Sequence, residues 1–442
     1  MARGEKTDVS RRDVVKMAGA TGLAGVAGVT GSVSAQEYPP LGNFPIQGDE
    51  AIFGFNVPQS GPYSSEGQDE LRAYRMAVEH LNNGGGWVNN WEDLSGDGVL
   101  DKQIGFVTGD TATDADQARQ SARRMIQRDQ AIMITGGSSS AVAIAVQELC
   151  QREKVAFMCC LTHSNDTTGK NCVRYSFREM FNAWMSAQAL APVVTEEYGQ
   201  NQNFYQLYAD YSWGQTQQAS MQQFFTEAGW SQMQSVATPL GTKDYSSYLS
   251  QVPRDQTDVL FLNHYGLDGA NSLTQAKDMG LDQDMEIVVP LYNRPMAQAA
   301  GGAIEGVYGT AAWDAQIDNP PSNQFTQAFQ DRYERVPSGP AQLAYAQTLQ
   351  YAAAVERAGT FYPPEVIRQL EGYSYNNLGM GEETMRQCDH QAQRAVPVVQ
   401  GLPEGEQQQG SFFEIVNLTP RDQLGYPCGE GPAAECELGP YE

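Results

Sequence analysis

Apolar and polar positions along the chain follow two alternating rhythms. Short runs that are apolar nearly throughout, AIFGFNVP (51–58), QIGFVTGD (103–110), AIMIT (131–135) and VAFMCC (155–160), predict strands. Between them the apolar residues recur at helical spacing. Leu71, Tyr74, Ala77, Val78 and Leu81 share one face of a helix predicted over 66–82, and helices are expected at 114–128 and 140–153. After about Phe177 the alternation restarts. Helix 180–198 precedes NFYQLYAD (203–210), helix 214–228, SVATPL (235–240), helix 245–252, DVLFLNH (258–264), helix 268–279, EIVVPL (286–291) and GVYGTAA (306–312). Helices follow at 322–335, 340–358 and 363–371, then strands at AVPVVQG (395–401) and SFFEIVNL (411–418). Strands that are apolar on both faces and alternate with helices predict α/β units with parallel sheets covered on both sides. Two such units predict a two-lobed α/β protein. WVNNWEDLSGDGVLD (87–101) interrupts the first unit as an insertion.

The N-terminus adds an export signal. Ser10-Arg11-Arg12-Asp13-Val14-Val15-Lys16 is a twin-arginine pattern, followed by a Gly/Ala-rich stretch from Met17 to Val33 and a small-residue cleavage site at Val33-Ser34-Ala35. That stretch is too glycine-rich and short to span a bilayer, so residues 1–35 are expected to be removed from a protein exported already folded. About 400 mature residues exceed one core's usual size, which agrees with two lobes. Acidic residues number 53 against 28 basic ones, for a net charge of −25. Such a charge argues against nucleic acid or an anionic membrane as partner. Dispersed acidity with only 7 lysines suggests solubility in high salt, hence a halophilic, archaeal source.

Candidate chemistry narrows quickly. The seven cysteines, Cys150, Cys159, Cys160, Cys172, Cys388, Cys428 and Cys436, are compatible with disulfides in an exported chain, and their odd number leaves a thiol over. Cys388, Cys428 and Cys436 lie in a loop-rich tail where a staple is expected. No C-x-x-C pair occurs and the histidines are scattered at 80, 163, 264 and 390, so no metal site or cofactor is expected. Asp93-x-Ser95-x-Asp97-Gly98 echoes a calcium loop, but Ile104 stands where the bidentate glutamate belongs, and a glycine turn reads better. ITGGSSSAVAIAVQ (134–147) places serines on a glycine turn at a helix start. It lacks the G-x-S-x-G of a nucleophile elbow and the lysine of a P-loop. A serine activated by His163 with Asp166 behind it would need an aspartate three residues along the same loop to orient the ring, a poor arrangement. The remaining readings are a helix cap and an anion clamp built on free N–H groups and a serine hydroxyl. The small polar residues of the neighbouring loop, Leu161-Thr162-His163-Ser164, favour the clamp.

These residues sit within a wider pattern. Gln59-Ser60-Gly61-Pro62, Gly67, a helix ending Leu81-Asn82-x-Gly84-Gly85, Gly109-Asp110 before a helix, and the 136–140 turn occur in order. The 155–165 loop and Asn171-Cys172-x-Arg174-Tyr175-x-Phe177-Arg178 follow. Over roughly residues 48–420 the chain resembles the Leu/Ile/Val-binding branch of solute-binding proteins, and Cys388-Asp389-His390-Gln391 is shared with a subset of that branch.

The resemblance implies the type I periplasmic-binding-protein fold, two Rossmann-like lobes joined by three hinge crossings and closing on a ligand. It puts the lobes at 48–178 with 314–393 and at 179–313 with 394–442. It implies that the ligand is met by Ser140, with Ser139 as the adjacent alternative, and by Leu161, Thr162 and His163. From the second lobe, Trp213 and Tyr265 would close over it. Family members that bind amino acids use an acid after the next strand to pair with the ligand ammonium. Here that loop reads Pro290-Leu291-Tyr292-Asn293. Either another acid serves, Glu66 of the first-lobe loop being the candidate, or the ligand lacks an ammonium and is urea, a short amide or an aromatic acid, a flat polar molecule suited to Tyr292 and Asn293. The expected protein is therefore an exported, monomeric receptor, not an enzyme, that delivers a small solute to the permease subunits of an ABC importer. The alternatives are a sensory or regulatory ligand-binding domain of the same fold and a serine hydrolase.

Overall fold

A computed structural model describes residues 38–407 and 411–442 of the chain. The proposed signal at 1–35 lies outside the described residues. From Pro40 onward the strands and helices alternate as the apolar pattern predicts. β1 (Glu50–Val57), α1 (Ser64–Asn83), β2 (Gln103–Asp110), α2 (Ala115–Gln127), β3 (Met133–Gly136), α3 (Ser140–Glu153), β4 (Ala156–Cys159) and β5 (Ser176–Arg178) make the first unit. Its five strands are parallel in the order β2-β1-β3-β4-β5. α4 (Ala183–Tyr198), β6 (Asn203–Ala209), α5 (Ser212–Glu227), β7 (Ser231–Thr238), α6 (Ser246–Leu249), β8 (Val259–Asn263), α7 (Gly266–Asp278), β9 (Glu286–Tyr292), α8 (Arg294–Ala300) and β10 (Tyr308–Ala311) make the second. There the order β7-β6-β8-β9-β10 repeats that of the first sheet.

The chain then returns to the first unit. α9 (Pro320–Tyr333) and α10 (Gly339–Ala358) pack along α1, with α11 (Pro363–Leu370) against α10. A small antiparallel sheet follows, β11 (Ser374–Tyr375), β12 (Glu383–Met385) and β13 (Ala392–Gln393). Finally β14 (Val396–Gly401) extends the second sheet antiparallel to β10, and β15 (Phe413–Thr419) pairs antiparallel to β14.

Local chemistry explains most boundaries. α2 begins where Asp114 accepts from Gln117 N at 2.8 Å, and α4 where Asn182 accepts from Met185 N at 3.0 Å. Gly67 lies in the first turn of α1, and a Cβ there would sit 1.9 Å from the Pro58 carbonyl oxygen. Gly214 meets the Ala209 carbonyl oxygen at the same 1.9 Å in the second unit, so both helices start hard against the strand they follow.

Some elements differ from expectation. β7 runs from Ser231, longer than SVATPL, because it is an edge strand whose half-exposed residues break up the apolar run. The helix expected at 245–252 is the single turn α6. α8 and the β11–β13 sheet carry too few residues for a periodic signal. In the insertion, the Asp93 carboxylate binds Arg357 at 2.8 Å, and Gly96 and Gly98 take positive φ of 72° and 78°, which makes the segment a glycine turn.

The tail, expected within the second lobe's 394–442 segment, makes contacts with both units. After β15 the chain comes back to the first unit. Cys436 is disulfide-bonded to Cys172, Tyr441 bonds Glu371, and the Arg174 guanidinium lies 4.4 Å from the Tyr441 ring. The second disulfide, Cys388–Cys428, is the staple within the tail, while Cys150, Cys159 and Cys160 are buried free thiols.

Three segments cross between the sheets, after β5, after β10 and after β13. Arg394, fully buried, touches all three. Its guanidinium lies 3.8 Å from the Glu179 carboxylate and 3.3 Å from that of Glu383, and donates to the Ala312 carbonyl at 3.1 Å. Removing one partner of a buried ion pair strands the other charge, at about 3–5 kcal/mol. Arg394→Met is therefore expected to lose that much stability in denaturant unfolding, whereas Arg119→Met, whose pair with Asp116 is solvent-exposed, should lose under about 1 kcal/mol.

Candidate functional site

In sheets of this order the strand direction of travel reverses between β1 and β3, and loops leaving the carboxyl ends of the strands face a crevice there. In the first unit Asp110 shapes the earliest of these loops. Its carboxylate accepts from the backbone of Gln59 at 2.9 Å, Ser60 at 3.2 Å and Ala112 at 2.8 Å, and from the Ser60 hydroxyl at 2.7 Å. The Gly136-Gly137 turn, both residues at positive φ, then delivers three buried serines to the start of α3. They do different things. Ser138 donates to the Glu70 carboxylate, and the Ser140 hydroxyl accepts from Ser164 N at 3.1 Å, tying two loops together. Ser139 is the N-cap residue, yet its hydroxyl makes no cap bond and has no hydrogen-bond partner.

The second unit's loops meet these directly. Tyr63 and Tyr211 share a hydrogen bond between hydroxyls at 2.8 Å, and Ser164 and Ser212 another at 2.6 Å. Asn165 N donates to Thr216 at 3.2 Å. Asn293 serves twice: its carbonyl oxygen caps α8 by accepting from Met296 N at 2.8 Å, and its amide nitrogen donates to Glu66 at 2.9 Å. Trp213, Tyr265 and His163 form a triangle of rings, with centroids 6.2 Å apart for Trp213–Tyr265, 6.5 Å for His163–Trp213 and 6.4 Å for His163–Tyr265. Phe181 packs edge-on to His163 at 5.1 Å. Burial, then the nearby Arg178 and Arg394 charges, hold the His163 pKa well below its ordinary value, so the ring is neutral.

Two carboxylates complete the lining. Glu66 is in the first turn of α1, not in the loop before it, and Glu70 follows one turn later. Both are buried, and neither has a Lys, Arg or His partner among the described residues. Each takes one hydrogen bond, from Asn293 and Ser138 respectively, and each leaves its second oxygen unpartnered. Burial pushes their pKa values up, to about 7 for Glu66 and about 8 for Glu70. The Tyr265 hydroxyl stands close to both acids and to Asn293 but completes a well-aligned hydrogen bond with none of them.

Of the residues singled out from sequence, Glu66, Ser139, His163, Trp213, Tyr265 and Asn293 are brought together. Ser140 and Thr162 lie beside them but are engaged inward. The Thr162 hydroxyl contacts Cys159 Sγ at 3.0 Å, and its carbonyl accepts from Arg178 at 3.4 Å. Leu161 is a core residue. Tyr292 stands apart: its side chain packs on Phe413 at 5.1 Å in the second sheet's own core, because its place on β9 points it away from the loops. Asp166 turns to Lys170 at 2.9 Å and Ser212 at 3.2 Å rather than to His163, so no serine–histidine–acid relay forms. Sequence reasoning missed Glu70, Tyr63, Tyr211 and Ser138. A signal for Glu70 existed: stepping back by four from Tyr74 on the apolar face of α1 gives Glu70 and then Glu66, two acids on a face that is otherwise buried.

Two α/β units joined by three crossings, with lined loops facing each other, define a two-lobed solute-binding protein rather than an enzyme. The chain belongs to the periplasmic binding protein family, whose profile matches residues 52–406. It is 25% identical over 296 residues to the "Leu/Ile/Val-binding protein homolog 7" of Brucella abortus, an alignment covering 64% of this chain and 71% of that one. A periplasmic binding protein from Burkholderia mallei superposes with a TM-score of 0.79 at 22% identity, covering 88% of this chain and all of that one. A solute-binding protein of an ABC transporter from Rhodopseudomonas palustris, in complex with 3,4-dihydroxybenzoic acid, superposes at 0.72 with 18% identity, covering 84% and 97%. The type I fold expected from sequence is the fold observed.

The raised acids bear on stability. Unfolded, each carboxyl ionises near 4.5; folded, each holds its proton to about 7 and about 8. Their stabilising contribution is therefore fully present below about pH 4.5 and is lost as pH rises through 7 to 8. The groups facing them are Asp69 on the same helix, Tyr74 and Cys160 in the first unit, and Tyr265 in the second. Without added solute, Glu70→Gln should be more stable than the parent at pH 8 by a few kcal/mol. At pH 4.5 the two should match, as read by urea unfolding at both pH values.

Proposed function

We propose that this chain is the exported solute receptor of an ABC importer, and that it captures a small polar organic molecule by closing its two lobes. One observation carries the reading. Polar atoms from both units, Glu66 Oε2, Glu70 Oε2, Ser139 Oγ, His163 Nε2, Trp213 Nε1 and Tyr265 OH, converge buried and without partners. Buried polar groups are otherwise almost always satisfied, and leaving one unpaired costs on the order of 1–3 kcal/mol. A ligand that pairs with several of them at once is bound by both lobes together, and so favours the closed arrangement over the open one. The names of relatives point to the same class, since they include Leu/Ile/Val-binding homologues and a receptor holding an aromatic acid.

We take residues 48–178 with 314–393 as one lobe and 179–313 with 394–427 as the other, the residues after 427 returning to the first. The three crossings around Arg394 would serve as the hinge. Export by the twin-arginine route and a high-salt habitat remain part of this proposal, supported by the N-terminal pattern and the acidic composition. A sensory domain of the same fold would bind its ligand in the same way but would not support uptake.

Solute that binds the closed form should raise the melting temperature by mass action, about 2.7 kcal/mol at a hundredfold excess over Kd. It should also lower the radius of gyration in solution scattering. Trp213→Ala is expected to abolish both effects while leaving the circular dichroism spectrum intact. Retained binding in that variant would remove the interlobe loops as the site.

A further inference from the structure

We propose that the solute this receptor takes is a small organic cation, its ammonium or guanidinium group held between Glu66 and Glu70 of α1 and against the rings of Tyr265 and Trp213. The inference rests on the receptor reading and names its ligand class.

The charge pattern carries it. Elsewhere in the molecule most deeply buried acids have a cationic partner: Glu179 and Glu383 lie by Arg394, Glu371 by Arg174, and Asp389 by Arg386 at 3.1 Å, while Asp268 accepts from the Gly241 backbone N–H at 2.8 Å instead. Glu66 and Glu70 break this pattern, with exposures of 1% and 0%, one neutral hydrogen-bond donor each, and one bare oxygen each. Acids in so dry a place keep their protons when the site is empty, and ionise readily only when something bound supplies the opposite charge.

The second lobe offers an independent sign of a ligand. Tyr265 is 3% exposed, carries an unpartnered hydroxyl, and lies close to both acids. Trp213, centroid to centroid 6.2 Å from it, presents an unpartnered indole N–H. Aromatic faces attract ammonium and guanidinium groups, more so when water is excluded. The third ring, His163, is neutral and so adds no repulsion.

Both arginines that act on His163 are engaged elsewhere: Arg394 with Glu179 and Glu383, and Arg178 with the neighbouring loops. Arg178 donates to Gln391 at 2.7 Å, to Thr168 at 2.7 Å and to the carbonyls of Thr162 and Ser164. Once ionised, the two acids make a site that a cation neutralises, a zwitterion neutralises only in part and an anion worsens. The unpartnered donors Trp213 Nε1 and Ser139 Oγ suit an uncharged oxygen elsewhere on the ligand.

The test uses pairs that differ in charge and little in shape: methylguanidinium against methylurea, and choline against 3,3-dimethylbutanol, each at millimolar concentration. Leucine serves as the zwitterion and benzoate as the anion. Titration calorimetry and thermal shift on the purified chain should show the cation of at least one pair binding a hundredfold or more tighter than its neutral partner. Glu66→Gln and Glu70→Gln should each weaken that cation more than tenfold while melting no lower than the parent, which separates lost recognition from lost folding. Leucine, benzoate or a neutral member binding as tightly as the cations overturns the proposal and leaves the receptor standing. So does undiminished cation affinity in both glutamine variants. If no probe of any charge binds, the receptor reading falls, and this proposal with it.

Discussion

The two lobes of this molecule are held in register by one buried guanidinium. Arg394 belongs to the third crossing, pairs with Glu179 of the first, and donates to the Ala312 carbonyl of the second. Glu383, from the small sheet beside the crossings, lies 3.3 Å from it. Crossing segments are neither strand nor helix, so their backbone groups and charges have no regular partner. A planar cation with five donors can satisfy several such segments at one point. Arg178, next to Glu179 in the chain, does the same, binding Gln391, Thr168 and the carbonyls of the 162–164 loop. That second arginine joins the crossings to the loop that carries His163, so the position of the site depends on how the crossings are pinned.

The site is the electrostatic opposite of these crossings. Around Arg394 burial is offset by pairing; around Glu66 and Glu70 it is not. The two environments lie far apart along the chain, and the difference lies in what the surrounding elements supply. The crossings set the acids Glu179 and Glu383 around Arg394, while Glu66 and Glu70 of α1 receive only the neutral donors Asn293 and Ser138. Such an imbalance lowers the stability of the unliganded molecule and is the kind of local sacrifice that binding sites carry.

Legibility from sequence followed the strength of local signals. β1 to β4 and α1 to α5 were readable because each is long or apolar enough to show its period. β7 was readable only at its buried end, and β11–β13 are two or three residues long. Among the candidate site residues, those the structure brings together were named from position: Ser139, His163, Trp213, Tyr265 and Asn293 all follow a strand's carboxyl end. Tyr292 was placed by the same rule and fails it by one residue, since side chains along β9 alternate between faces and its own points into the sheet's core. Glu70 was overlooked because it lies within a helix rather than in a loop.

The sequence by itself determined the two α/β units with parallel sheets and the loops at which a ligand would be met. These follow from apolar periodicity and glycine placement, which act over a few residues. The tertiary structure alone decided that Cys172 pairs with Cys436 and that Arg394 gathers three crossings. It also decided that Ser139 rather than Ser140 keeps a free hydroxyl, and that Glu66 and Glu70 are buried without a counter-charge. Each of these depends on which segment packs against which across hundreds of residues, and charge compensation cannot be read until both sides of a contact are in place.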